Sequence, residues 1–144
     1  IHFKNDDMII SCRCYLQKYP NFSEIYDLKG TPSSLHKELT EEVCNAQVFA
    51  KENHYDGRVQ VELKPGLMRV SSQGTYGFYK GRPRKIDYVG KPLSFMIAPD
   101  LLANLVKNYD HCEIGSGKLK IISGNCTYIA CLFLSKKEGK NENE

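Results

Sequence analysis

One stretch of this chain occurs twice. Val61-Glu62-Leu63-Lys64-Pro65-Gly66-Leu67-Met68-Arg69-Val70-Ser71-Ser72 lies over Cys112-Glu113-Ile114-Gly115-Ser116-Gly117-Lys118-Leu119-Lys120-Ile121-Ile122-Ser123. Glu, Gly and Ser fall in register, and a basic residue stands at the same step. Both copies read as strand, glycine turn, strand. Each follows a helical stretch and precedes one more strand. A unit of one helix and three strands, used twice, predicts an α+β domain of two pseudo-symmetric halves. Both helices then pack on one side of the sheets.

The rest of the chain fits around that repeat. Leu39, Val43, Ala46 and Ala50 recur at steps of three and four, which predicts a helix over about residues 38–53. Glu38, Glu41, Glu42, Asn45 and Lys51 fall mostly on its other faces. Pro99 suits the first turn of a second helix with Leu101, Leu102, Leu105 and Val106 as its stripe. Strands are predicted at 8–16, 58–63, 67–72, 75–79, 86–89, 93–97, 112–114, 119–122 and 127–134. Residues 80–85 form a basic loop, and residues 135–144, which after Ser135 are only Lys, Glu, Asn and Gly, read as a disordered tail.

Composition narrows the function classes. The chain has 144 residues, the size of one domain, with 41% hydrophobic and 26% charged residues. No run approaches the roughly 20 apolar residues of a membrane span. Lys plus Arg number 20 against 17 Asp plus Glu, a net charge of +3. That is too mild to mark a nucleic-acid binder by bulk charge. The chain opens on Ile1 and His2, which reads as a piece of a longer protein.

Catalytic and metal readings find little support. The spacing of Cys12, Cys14, Cys44, Cys112, Cys126 and Cys131 matches no zinc pattern, and free thiols in a reducing cytoplasm are expected. His36, His54 and His111 offer a base for Cys44 or Cys112, but no oxyanion-type glycine motif surrounds either thiol. Cys44 is expected on the buried side of its helix. No cofactor motif is present, so no enzyme and no cofactor are expected.

Three places in this order carry a resemblance. They are the strand leading into Tyr19-Pro20-Asn21-Phe22, the word Ser94-Phe95-Met96-Ile97-Ala98-Pro99-Asp100-Leu101-Leu102, and the last strand from Thr127 to Leu134. Together they resemble the bacterial replicative sliding clamp, the beta subunit of DNA polymerase III, and in particular its last domain, in a divergent or phage-like form. The resemblance implies a DNA-clamp fold over residues 19–134, with residues 1–18 as closing strand and linker from a preceding domain. It implies a processivity factor in the cytoplasm of a bacterium or phage-infected cell, part of a homo-oligomeric ring around duplex DNA that is held without base readout. This piece alone is expected to be monomeric.

The resemblance also implies a hydrophobic site for short peptides of polymerase and clamp loader. The corresponding positions here are Pro20, Glu24, Ile25, Ile129, Cys131 and Phe133, the last three alternating onto one face of a single strand. The family usually carries a basic residue where Glu24 stands, and its chain usually ends near Leu134. Weak phosphate contacts are expected from Lys51, Arg82, Arg84, Lys85 and Lys107. The acidic first helix leaves a second reading open: an interaction module with a clamp-like fold that does not encircle DNA.

Overall fold

The computed structural model describes residues 2–11, 23, 26–52 and 57–134. Each repeat opens with a strand that it gives away. In the first half, β3 (Thr31–Ser34) precedes α1 (Leu39–Glu52), which leads to β4 (Val59–Lys64), β5 (Leu67–Gln73) and β6 (Phe78–Lys80). A short β7 (Arg84–Lys85) follows. In the second half, β8 (Leu93–Ile97) precedes α2 (Pro99–Asn108), β9 (His111–Gly115), β10 (Lys118–Ser123), β11 (Cys126–Cys131) and β12 (Phe133–Leu134). Strand β3 pairs antiparallel with β9 of the second half, and β8 pairs antiparallel with β4 of the first. The result is a four-stranded sheet, β11-β10-β9-β3, and a six-stranded sheet, β12-β8-β4-β5-β6, with β7 also on β5. At the N-terminus β1 (His2–Lys4) and β2 (Ile9–Ser11) form a separate two-stranded ribbon.

The duplicated residues fill equivalent places. Val61, Leu63, Met68 and Val70 from one copy and Cys112, Ile114, Leu119 and Ile121 from the other are all buried in one core. The stripes Leu39, Val43, Ala46, Ala50 and Leu102, Leu105, Val106 cover that core from the helix side. The helices also touch one another, where Gln47 Nε2 donates to Asp100 Oδ1. The two repeat turns reach the same register by different routes. Gly66 takes φ 73° after Pro65, the combination of a type II turn, whereas Ser116 (φ 48°) and Gly117 (φ 70°) are both left-handed, as in type I′.

Four local expectations are corrected. The single strand expected over 127–134 breaks at buried Leu132, whose amide donates to the Gly117 carbonyl. Strand β11 therefore stays on β10, and β12 crosses to β8. Residues 86–89 alternate like a strand, with Ile86 and Tyr88 buried, but pair with no strand. Their backbone bonds go to Gly66 of the β4–β5 turn, and the Asp87 amide donates to Ser34 Oγ. Strand β3 has no apolar alternation to mark it in the sequence; its Pro32 is tolerated because β3 lies at a sheet edge. The strand expected over 8–16 appears as β2 at 9–11. The rest of that stretch, and the tail at 135–144, lie outside the described residues.

A further correction concerns Glu42, which is buried rather than solvated. It sits three residues after Leu39 and four before Ala46, so it belongs to the apolar stripe by position. Oε1 accepts from Arg84 Nε and from a terminal Arg84 nitrogen at 3.1 and 2.8 Å. Oε2 accepts from the Tyr79 hydroxyl at 2.6 Å and the Arg82 amide at 3.2 Å. A Cβ on Gly81 would stand 2.5 Å from Glu42 Oε2 and 2.7 Å from the Val70 carbonyl oxygen, so only glycine fits there. Burial pushes this carboxyl up, but the bonds from Tyr79, Arg84 and the Arg82 amide outweigh it and hold it below its ordinary 4.5. The stabilisation is therefore present above pH 4.5 and is lost as pH falls below it. Glu42→Gln is expected to lower unfolding free energy by about 1–3 kcal/mol in urea titration at pH 7. Its stability should also fall less steeply than that of the parent between pH 4.5 and the acid limit.

Candidate functional site

Alternation along the strands decides which charges face solvent and where. Strand β7 sends Arg84 inward to Glu42, and turns Lys85 outward beside Leu67. Arg84 also lies 3.6 Å from Glu38. Of the expected phosphate contacts, Arg84 is thus occupied by two carboxylates, while Arg82 and Lys85 are exposed. Lys107 is exposed in the last turn of α2, where a cation also complements the helix dipole. Lys51 lies in α1, but its side chain is outside the described residues.

The solvent face of the helix pair is close to neutral. Its described side chains include Glu41 and Asp100 against Lys107, with Cys44, Asn45, Val48 and Leu101 exposed among them. Cys44 was expected on the buried side. At 100° per residue it is carried off the Val43 stripe, and it faces solvent. Cys126 and Cys131 are likewise exposed, whereas Cys112 is buried. Burial, and secondarily the neighbouring Glu113 charge, pushes the Cys112 thiol up to about 12. His36 is engaged by Ser34, Nε2 to Oγ at 3.1 Å, rather than by a thiol. Among the described residues no group of three His, Cys, Asp or Glu converges as a metal set would.

The expected peptide-site residues do not share one strand face. Pro20, Glu24 and Ile25 lie outside the described residues. Ile129 stands opposite Lys120, and Cys131 opposite Lys118, on the outer face of the four-stranded sheet. Phe133 stands opposite Met96 on the six-stranded sheet, half exposed, with the Arg58 guanidinium 3.5 Å above its ring centroid. The register change at Leu132 separates them. Beside Ile129 the outer face carries a cavity of about 350 Å³ lined by Pro32, His111, Glu113, Lys120 and Ile122. These residues escaped the sequence reading. The alternation of Lys118, Lys120 and Ile122 opposite buried Leu119 and Ile121 was the signal that would have found them.

Two halves of one helix and three strands, with exchanged first strands and paired helices, build a fold that matches that of DNA polymerase sliding clamps. The structure superposes on the DNA polymerase III beta subunit of Thermotoga maritima with a TM-score of 0.69, at 16% identity, over 94% of this chain and 39% of that one. The DNA polymerase sliding clamp of Pseudomonas aeruginosa gives 0.65 at 11% identity, over 83% of this chain and 36% of that one. That of Caulobacter crescentus gives 0.65 at 10% identity, over 83% and 34%. This chain therefore spans little more than a third of the length of these proteins. No protein-family model matches the sequence, and no curated protein does. The likeness lies in the fold. Thiol reactivity gives a direct check on the inner and outer faces. At pH 8 iodoacetamide should label Cys44, Cys126 and Cys131 in the folded protein and spare Cys112 until urea exposes it, as read by peptide mass spectrometry.

Proposed function

We propose that this chain is a sliding-clamp domain, one arc of a ring that encircles duplex DNA and tethers a polymerase through short apolar peptides. The observation that carries the reading is the clamp fold itself, with both helices on one side of two sheets that face outward. A ring holds DNA by enclosure, so the near-neutral helix face is compatible with the role, and other segments of the assembly supply the attraction to phosphate. The function needs no catalytic group and no cofactor. On the outer face of the four-stranded sheet, Ile129 and Cys131, with Ile122 and Pro32 nearby, offer shallow apolar footing for a peptide anchor. Lys118 and Lys120 against Glu113 give that face a modest preference for an acidic peptide flank.

The same helix face favours a second reading, an interaction module that uses this fold without DNA in a ring. Glu41 and Asp100 outnumber Lys107 among the described charges there. One titration series separates the two. A fluorescent clamp-binding peptide of polymerase type is titrated with the protein, with Ile129→Asp and with Phe133→Asp, while circular dichroism confirms folding. Duplex DNA binding is followed in parallel against salt. The clamp reading expects micromolar peptide affinity, a loss of tenfold or more in Ile129→Asp, and weak duplex binding that fades with salt. Peptide affinity unchanged in both folded variants would refute the site, and tight, salt-resistant duplex binding would refute the ring.

A further inference from the structure

Among the described residues, a cluster of positive charge lies on the sheet, away from the helices. In the six-stranded sheet Val59, Val61, Leu63, Met68, Val70 and Ser72 are buried toward the helices. Their alternating neighbours must face outward. The outward set runs through Gln60, Glu62 and Lys64 on β4, and through Leu67, Arg69, Ser71 and Gln73 on β5. Register extends it to Phe78 and Lys80 on β6, Lys85 on β7, Ser94 and Met96 on β8 and Phe133 on β12. Arg58 joins them over the Phe133 ring. Five cations, Arg58, Lys64, Arg69, Lys80 and Lys85, thus share a face with one carboxylate, Glu62, which pairs with Arg69 at 3.8 Å.

One row crosses the whole sheet side by side: Phe133, Met96, Gln60, Ser71, Lys80. Phe78 stands beside its far end, opposite Gln73, with 74% of its surface exposed. Beside Phe78 lies an open groove of about 490 Å³ whose lining includes Arg58, Gln60, Glu62, Ser71, Phe78 and Lys80. An aromatic ring held out in water by a strand has no folding role to explain it. An open ring at Phe78, side-chain amides and hydroxyls along the row, and cations beside them are the chemistry that binds an unpaired polynucleotide. Bases stack on the rings, amides meet base edges, and cations meet phosphates. A duplex hides its base faces and would engage the cations alone. An acidic peptide would have no use for the exposed ring.

We infer that the outer face of the six-stranded sheet binds single-stranded nucleic acid, with Phe78 as a stacking platform and Lys80, Arg58 and Lys85 along the phosphate path. The test turns on Phe78 and Lys80, which do not belong to the peptide site, whereas Phe133 is shared by both readings. Fluorescence anisotropy with a labelled oligothymidylate of about 20 nucleotides, against a duplex of equal length, tests it. The protein, Phe78→Ala and Lys80→Ala are compared across a salt series, with thermal melts as folding control. The single strand is expected to bind at least tenfold tighter than the duplex. Phe78→Ala should weaken it roughly fivefold or more, and Lys80→Ala should flatten the logarithmic salt slope by about 0.7. Both variants should capture the clamp-type peptide as the parent does. Equal affinity for duplex and single strand, an unchanged affinity in folded Phe78→Ala, or displacement of the oligonucleotide by polyglutamate at equal charge would each overturn it.

Discussion

Neither half of this molecule can close its own sheet. The strand that opens the first half completes the second half's sheet at β9, and the strand that opens the second half lies inside the first half's sheet at β4. Each half therefore presents an unpaired edge until the other is folded, and an unpaired inner edge costs a row of backbone hydrogen bonds. The exchange binds the halves into one cooperative unit with a single buried cluster. It also fixes the helices side by side, since each enters from a strand lodged in the opposite sheet. The paired helix layer and the outward sheet faces, on which the functional readings rest, follow from that exchange.

Glu42 performs a similar service at the sheet margin. Beyond β5 the chain doubles back through β6, the loop at Gly81 and β7 on the same strand, and little apolar surface holds that segment. One buried carboxylate gathers a tyrosine hydroxyl, a backbone amide and a bidentate arginine from it. Charged groups removed from water need such full pairing, and here the pairing fixes the alternation that follows. With Arg84 and Tyr79 turned in, Lys85, Lys80 and Phe78 are turned out. The basic loop that looks like one patch in the sequence is divided between a structural ion pair and a solvent face.

The division of charge bears on function. A ring around a duplex can work with a weakly charged inner wall, because enclosure rather than affinity retains the DNA. On the readings proposed above, the outer face, rich in cations and with an exposed ring, would instead serve a flexible single strand. The apolar floor beside Ile129 and the cationic row ending at Phe133 lie on different sheets. The two surfaces can therefore be altered separately.

Local periodicity was enough to reveal the repeat, the first helix to within a residue at each end, the start and apolar stripe of the second, and the α+β class, because those features depend on side-chain spacing alone. Long-range pairing was not written in any local pattern. Strand β3, with Thr31, Pro32 and two serines, becomes a strand only because β9 offers it a partner. Residues 86–89 alternate perfectly and still are not one, because their backbone partners are the Gly66 turn and Ser34. Glu42 reads as solvated until Arg84, forty-two positions later, is folded against it. The same limit governed the site. Phe133 shares a period with Ile129 and Cys131 in the sequence, yet the kink at Leu132 moves it to another sheet, where its neighbours are Arg58 and Met96. Spacing along one strand sets which way a side chain points, and only the packing of distant strands decides what it meets there.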